Sequence, residues 1–205
     1  PFGIMINARG ERFVDEGADF RNYTYAKYGS AILAQPGQFA WQVFDSKVIP
    51  MLRDEYRIRQ ITKISSDPLE GLADQMEGVG REGFLRTVSE FNAAVTKDVP
   101  FNPNVKDGRA AAGVVPRKSN WANTIDTGPF EAYAVTCGET FTFGGVKIGA
   151  DGQVHDTADQ PIPGLFAAGE KVGGLFFHNY PGGTGLTSGA GFGKIAGEGA
   201  AAGRG

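Results

Sequence analysis

The chain has 205 residues, of which 41% are apolar and 21% are charged, and its formal net charge is −3. We do not expect an integral membrane protein, because no apolar run approaches the roughly 18 residues that span a bilayer. We also do not expect nucleic-acid binding, because the sequence has no cluster of consecutive lysines and arginines. The single cysteine, Cys137, permits no internal disulfide, and we interpret it as a small buried thiol in a reducing, cytoplasmic compartment.

The first third of the chain predicts four elements in order. They are a hairpin with arms at residues 3–7 and 12–15, a helix within residues 17–35, a strand at 39–44 and a second helix at 46–56. Gly10 supplies the hairpin turn, and Pro36-Gly37 ends the first helix. The second helix, at residues 46–56, is predicted from its amphipathic pattern alone.

Two further helices and an irregular segment are predicted in the middle of the chain. Asp67-Pro68 has the pattern of a helix start, with aspartate as the cap and proline in the first turn. A second helix is predicted at about 81–96, and residues 98–129 are irregular. The match of Gly78, Gly80 and Gly83 to G-x-G-x-x-G is interpreted as a turn between these helices, because a dinucleotide site needs a preceding strand.

The last third of the chain predicts short strands and one helix. The strands are expected at 132–136, 145–148 and 154–155, with a turn at Asp151-Gly152 and the helix at about 185–202. His155 is expected to be structural.

Glycine is the residue most over-represented, with 31 copies, of which nineteen lie in residues 138–205. Residues 164–169 predict a short buried strand that delivers Glu170 to a ligand-facing end. Residues 178–185 predict a tight loop at a helix N-terminus, whose free N–H groups favour an electron-rich or anionic group. Close packing of a helix on a sheet explains the same glycines, and the residues alone leave both explanations open.

Three separated motifs carry a resemblance to a known family. The fumarate reductase/succinate dehydrogenase flavoproteins have similar segments in the same chain order. The segments that resemble them here are residues 7–16, residues 141–146, and residues 162–174 together with 179–185. Residues 20–25 and 118–122, together with the Tyr-Pro-Gly-Gly-Thr-Gly loop, are most similar to the FAD-dependent tricarballylate dehydrogenase branch.

The resemblance implies an α+β fold made of two parts. Residues 1–140 would be a clamp, or capping, domain over the substrate, and residues 141–205 would be the C-terminal strand–helix segment of an FAD-binding α/β domain. The N-terminal half of that domain would be absent. We therefore expect a C-terminal piece of a larger protein that alone is inactive and binds FAD poorly or not at all.

The resemblance also implies which residues contact FAD. Glu170 would hydrogen-bond the ribitol, and the backbone at the helix N-terminus would face the isoalloxazine carbonyl. The expected cofactor-binding residues are Gly169, Glu170, Gly183, Thr184, Gly185, Leu186 and Thr187. No metal site is expected.

The proton relay of fumarate reductases is not present. Those enzymes have histidines at the positions of Thr140 and Phe141, arginines at Tyr180 and roughly at Tyr25, and a glutamate at Arg9. Related ketosteroid dehydrogenases carry a tyrosine that matches Tyr180, but their second tyrosine aligns with Phe20.

We expect an FAD-dependent dehydrogenase that oxidises a saturated C–C bond of a polycarboxylate, such as tricarballylate to an aconitate, with an unknown electron acceptor. Tyr180 and Tyr25 are the predicted catalytic residues, although a buried tyrosine with a satisfied hydroxyl also explains Tyr180. The predicted substrate-binding residues are Arg21, Lys27, Phe141, Thr142 and His178, with Arg117 and Lys118 as further cationic candidates. The alternatives are a 3-ketosteroid dehydrogenase and a flavin-free binding module that reuses the clamp fold.

Overall fold

The computed structural model of the protein describes residues 1–139 and 141–203, in two units. The first unit comprises Pro1–Arg21 and Tyr28–Cys137, and the second comprises Asn22–Lys27 and the chain from Gly138 onward. The expected domain boundary at residue 140 falls outside the described residues, and the assignment of a clamp domain and an FAD-domain segment stays a prediction.

A four-stranded antiparallel sheet forms the centre of the first unit. Its strands are β1 (Ile4–Ile6), β2 (Phe39–Phe44), β3 (Lys63–Ser66) and β4 (Phe130–Thr136), in the spatial order β1-β2-β4-β3. The predicted strand at residues 39–44 is confirmed, and its alternating apolar residues pair across the sheet, as Val43 does with Ile4 and Ala132.

Three helices carry apolar side chains in the first two-thirds of the chain. They are α1 (Arg21–Leu33), α2 (Leu69–Gln75) and α3 (Arg81–Ala94). One buried cluster joins the sheet to α2 and α3, and it includes Ile4, Val43, Leu72, Phe84, Phe91 and Ala132. The mixed helix and sheet composition of the predicted fold is confirmed.

The predicted hairpin is reduced to its turn. Gly10 has a φ of +79° and donates its N–H to the carbonyl of Asn7 at 2.9 Å, but the second arm forms only one bridge, between Ile6 and Arg12. The strand partner of β1 is β2 instead. The turn lies against α3, since a Cβ at Gly83 would stand 2.1 Å from the carbonyl oxygen of Arg9. Gly78 and Gly80 lie in the turn between α2 and α3, as predicted, and Gly83 lets the turn at Gly10 approach α3 closely.

Several predictions in the first unit are wrong. Residues 46–56 form two short 3₁₀ turns, Ile49–Met51 and Asp54–Arg57, because Pro50 has no N–H and the chain at Arg53 is extended. Pro68, not Asp67, is the N-cap of α2, without a side-chain cap. Strand β3 was not predicted, and Cys137 is only half-buried.

Buried charges hold the edge of this unit together. The Arg12 guanidinium donates to both carboxylate oxygens of Glu16, at 3.0 and 2.6 Å, and lies over the Phe91 ring. Lys118 is fully buried and donates to the carbonyl oxygens of Pro1 and Gly3. Burial lowers the pKa of Lys118 to about 8.

The second unit has a two-stranded antiparallel sheet and one long helix. The strands are β5 (Gln153–His155) and β6 (Pro161–Phe166), and the helix is α4 (Thr184–Ala201), which agrees with the predicted 185–202. The Asp151-Gly152 turn precedes β5 as predicted. His155 has a structural pairing, with Asp159 at 3.0 Å.

Two strand predictions in this unit are wrong. Residues 145–148 contribute only isolated bridges, between Val146 and Val172 and between Ile148 and Val154. The strand before Glu170 is not buried, because among the described residues β6 pairs with β5 alone, and residues 161–165 are exposed. In the described part of the chain, no helix combines the length and apolar character needed to cross a membrane.

Candidate active site

Tyr180 lies in the loop that leads into α4, and its hydroxyl is fixed by the helix. The N–H of Gly185, in the first turn of α4, donates to Tyr180 Oη at 3.2 Å. The first-turn amides of a helix have no acceptor within the helix, so the tyrosine oxygen satisfies a donor that the helix leaves open. The phenol is thereby held at a helix N-terminus.

This contact depends on the absence of a side chain at Gly185. A Cβ there would stand 2.4 Å from Tyr180 Oη and 2.8 Å from Cε2 of Phe141. Real Cβ atoms do not approach other atoms this closely, so any larger residue would displace a ring.

Aromatic rings surround Tyr180 within the second unit. Phe141 stacks on it with ring centroids 4.6 Å apart and planes inclined by 16°. Phe176 and Tyr25 meet it edge to face, at 5.1 and 6.1 Å. Phe143 extends the cluster through Phe141 and Phe176. Such ring pairs are in the geometries that aromatic side chains favour, and they leave Tyr180 little freedom to rotate.

The Tyr180 loop is joined to α1 by main-chain acceptors. The N–H of Gly182 donates to the carbonyl of Asn22 at 2.6 Å, and Nδ2 of Asn179 donates to that of Tyr23 at 3.0 Å. Before Tyr180, His178 has a φ of +60° and is exposed, with its ring against that of Phe177 at 4.0 Å.

Glu170 follows β6 in a short 3₁₀ turn, Gly169–Lys171. Its Oε1 accepts the N–H of Thr142 at 2.9 Å. Among the described residues, Oε2 makes no hydrogen bond. One oxygen thus binds this unit's own backbone, and the other is available to a ligand hydroxyl.

The amides at the start of α4 differ from the prediction of free N–H groups. The N–H of Thr184 donates to the carbonyl of Pro181 at 3.2 Å, and that of Gly185 to Tyr180. Leu186 exposes 83% of its surface, and Thr187 donates its hydroxyl to the carbonyl of Gly183. The N–H of Thr187 also donates to the carbonyl of Gly183, at 3.1 Å, so the interpretation as an anion site fails for three of the amides.

The predicted cationic residues are divided between the two units. Lys27 and His178 are exposed in the second unit, whereas Arg21 belongs to the first unit. Lys118 is wrong as a substrate ligand, because its ammonium is buried on backbone carbonyls. Arg117 is exposed in the first unit.

Phe143 and Phe176 are the members of the aromatic cluster that were not predicted as site residues. Phe176 lies in a Phe-Phe pair whose second member, Phe177, is 81% exposed, and no periodic pattern distinguishes the two. The only signal in the sequence was that this pair lies a few residues before Tyr180.

The second unit contains a glycine-lined cleft of about 530 Å³. Its lining includes Gly144, Gly145, Gly173, Gly174, Ile148 and Phe192. Glu170 does not line this cleft, but its available oxygen is an acceptor of the kind that the hydroxyl groups of a flavin's ribityl chain would need. No group of His, Cys, Asp or Glu suited to a metal ion occurs among the described residues.

Comparison with known proteins shows the family to which the chain belongs. Residues 1–186 match the family model of an FAD binding domain. The chain belongs to this FAD binding domain family. It is 36% identical to the probable fumarate reductase of Shewanella frigidimarina over 97% of its own length and 31% of that protein. The predicted membership of the fumarate reductase/succinate dehydrogenase-type flavoproteins is confirmed, whereas the tricarballylate branch stays a prediction.

Solved structures of FAD-domain relatives show the same likeness. The open conformation of a flavocytochrome c3 fumarate reductase superposes with a TM-score of 0.68 at 31% identity, covering 98% of this chain and 32% of that one. A 3-ketosteroid Δ1-dehydrogenase from Sterolibacterium denitrificans superposes with a TM-score of 0.70 at 26% identity, covering 98% and 39%. The chain thus spans about a third of the length of the relatives that it matches.

Proposed function

We propose that the protein containing this chain transfers a hydride between FAD and a C–C bond next to a carbonyl or carboxylate group. In this proposal residues 1–140 cover the substrate, and residues 141–205 complete the FAD domain. The family match and the available Glu170 oxygen support the cofactor. When bound, FAD supplies the hydride acceptor or donor.

This chain's own residues would hold one end of FAD. Glu170 would accept a ribitol hydroxyl at Oε2, and the backbone of residues 183–187 would face the isoalloxazine ring. A flavin-free binding module has no need for either feature. We expect the purified 205-residue chain to bind FAD poorly, and a flavin absorbance band in it would contradict this expectation.

The proton at Tyr180 Oη is the centre of the proposed chemistry. Because Oη accepts the Gly185 N–H, the tyrosine's own hydrogen points away from that amide and can be donated to a substrate carbonyl oxygen. Such a hydrogen bond stabilises negative charge on the carbonyl oxygen and makes the adjacent C–H bond more acidic. Tyr25, edge to face with Tyr180, is the proposed second residue, which exchanges the C–H proton.

The hydrogen bond between Gly185 and Tyr180 is the single observation that carries this proposal. The test is Tyr180→Phe in the complete FAD-loaded protein, which removes the hydroxyl and keeps the ring. We expect kcat to fall about 100-fold or more, the usual contribution of a positioned proton donor. Tyr23→Phe is the matched control, because Tyr23 is 52% exposed on α1. Unchanged turnover of Tyr180→Phe would reject the role.

The proposed substrate is a polycarboxylate of the tricarballylate type. The likeness to a fumarate reductase supports it, and Lys27 and His178 are the predicted cationic residues that are exposed in the second unit. A different observation favours a second candidate, an uncharged ring ketone. The rings around Tyr180 are apolar, and a relative with the same fold is a 3-ketosteroid dehydrogenase.

One substrate panel separates the two candidates. The complete FAD-loaded protein is assayed with tricarballylate and a 3-ketosteroid for reduction of the flavin, and, after the flavin has been reduced with dithionite, with fumarate for its reoxidation, with flavin absorbance as the signal. Flavin reduction by tricarballylate alone supports the polycarboxylate, and reduction by the ketosteroid alone supports the ring ketone. A protein purified without any flavin absorbance would instead favour the binding module.

A further inference from the structure

Glu170 contacts the segment that carries Phe141 as well as facing the proposed flavin site. We propose that Glu170 is a positioning residue for Tyr180, acting through the Thr142 N–H and the Phe141 ring. This inference rests on the proposed function of Tyr180.

The first step is the anchoring of residues 141–143. The chain here forms no helix or strand, and Thr142 and Gly144 are exposed. Its main-chain anchors are the Thr142 N–H on Glu170 Oε1, at 2.9 Å, and the carbonyl of Phe143, which accepts the Gly174 N–H at 3.3 Å. The bond to Glu170 is the shorter of the two and has a charged acceptor, so we expect it to be the stronger.

The second step is the transfer of position from Phe141 to Tyr180. The two rings are stacked at 4.6 Å, and the Gly185 backbone closes the space beside both. Both rings are half-buried, and a shift of one draws the other with it because separating the stacked faces loses their contact energy. Movement of Thr142 therefore changes the direction of the Tyr180 hydroxyl.

The third step links this contact to the cofactor. The same carboxylate would offer Oε2 to a ribitol hydroxyl while Oε1 holds Thr142. Flavin binding would fix the carboxylate plane, and with it the position of Phe141. The cofactor ligand and the proton-handling tyrosine are thus two ends of one short chain of contacts.

The test uses two variants of Glu170 in the complete protein at saturating FAD. Glu170→Gln keeps an oxygen acceptor for the Thr142 N–H, whereas Glu170→Ala removes it. We expect kcat to fall about 10- to 100-fold in Glu170→Ala, in line with the loss of a charge-assisted hydrogen bond, and to recover largely in Glu170→Gln. Glu198→Gln, on the exposed side of α4, is the control for the loss of one negative charge.

A double-variant cycle identifies the route through Phe141. Phe141→Leu removes the stacked ring but leaves Glu170 in place, so FAD affinity should stay within about twofold of wild type. If Glu170 acts through Phe141, the two losses in kcat do not multiply in Glu170→Ala/Phe141→Leu. The inference would be overturned if the two losses in kcat multiply in the double variant, or if Glu170→Ala keeps its full kcat at saturating FAD.

A spectroscopic measurement that does not depend on catalytic turnover completes the test. The near-ultraviolet circular dichroism of the FAD-free protein reports the packing of tyrosine and phenylalanine rings. We expect Glu170→Ala to change this spectrum and Glu170→Gln to preserve it, and an unchanged spectrum in Glu170→Ala would contradict the contact. Normal turnover of Tyr180→Phe would defeat the proposed function, whereas multiplying losses with a slow Tyr180→Phe would defeat this inference alone.

Discussion

Replacing Gly185 with alanine would insert a methyl group between Tyr180 and the first turn of α4. The new Cβ would lie 2.4 Å from Tyr180 Oη, 2.8 Å from Cε2 of Phe141 and 3.1 Å from Cε2 of Tyr180. Overpacking costs about 1–3 kcal/mol, and loss of the hydrogen bond to Oη costs about 1 kcal/mol. Alanine returns about 1 kcal/mol through its higher helix propensity. We therefore expect Gly185→Ala to destabilise the second unit by about 1–3 kcal/mol.

Gly191→Ala in the same helix is the matched control, since a Cβ there meets no described atom within 4 Å. It should stabilise α4 by up to about 1 kcal/mol. Hydrogen exchange of the α4 amides measures both changes in the free energy of opening. Equal exchange rates in the two variants would refute the argument that Tyr180 and Phe141 fill the space beside Gly185.

Three further predictions concern the first unit. Because burial lowers the pKa of Lys118 from 10.5 to about 8, the unfolded chain binds more protons between these values, and urea stability should rise with pH across this window. Lys118→Met should abolish the rise. Arg12→Ala should cost about 3–5 kcal/mol in urea unfolding, because it leaves a buried carboxylate without its counter-ion. Arg12→Met/Glu16→Gln should cost clearly less, because glutamine is uncharged and still offers an oxygen to the Met5 N–H. Gly83→Ala should lower the urea midpoint through its 2.1 Å clash with main chain, whereas Gly29→Ala, with open space around it, should not.

Local patterns were sufficient for the elements with strong periodicity. The apolar face of α3 and the alternation in β2 each follow from residues within one element, so both were predicted to within a few residues. The segment at 46–56 has an amphipathic pattern too, but Pro50 breaks its hydrogen bonding. Strand β3, with the sequence Lys-Ile-Ser-Ser, exists because it pairs with β4, which is a contact distant in sequence.

The candidate site divides in the same way. The sequence around Glu170 and Tyr180 predicted the loop and the start of α4, because both are local, and the roles of the two residues stay predictions. It could not predict that Gly185 donates to Tyr180 or that Phe176 packs on it, since both depend on how the loop closes. Nor could it predict that Lys118 is a buried structural residue, because its acceptors are more than a hundred residues away.

The loop that carries Tyr180 is fastened to α1 through the carbonyl oxygens of Asn22 and Tyr23, and every amino acid has such a carbonyl. The exposed side chains of Asn22 and Tyr23 can therefore be exchanged during evolution, or in a mutant library, while the loop keeps its acceptors. A library that varies these two positions and keeps Tyr25 can explore new specificity around a tyrosine whose own position is preserved.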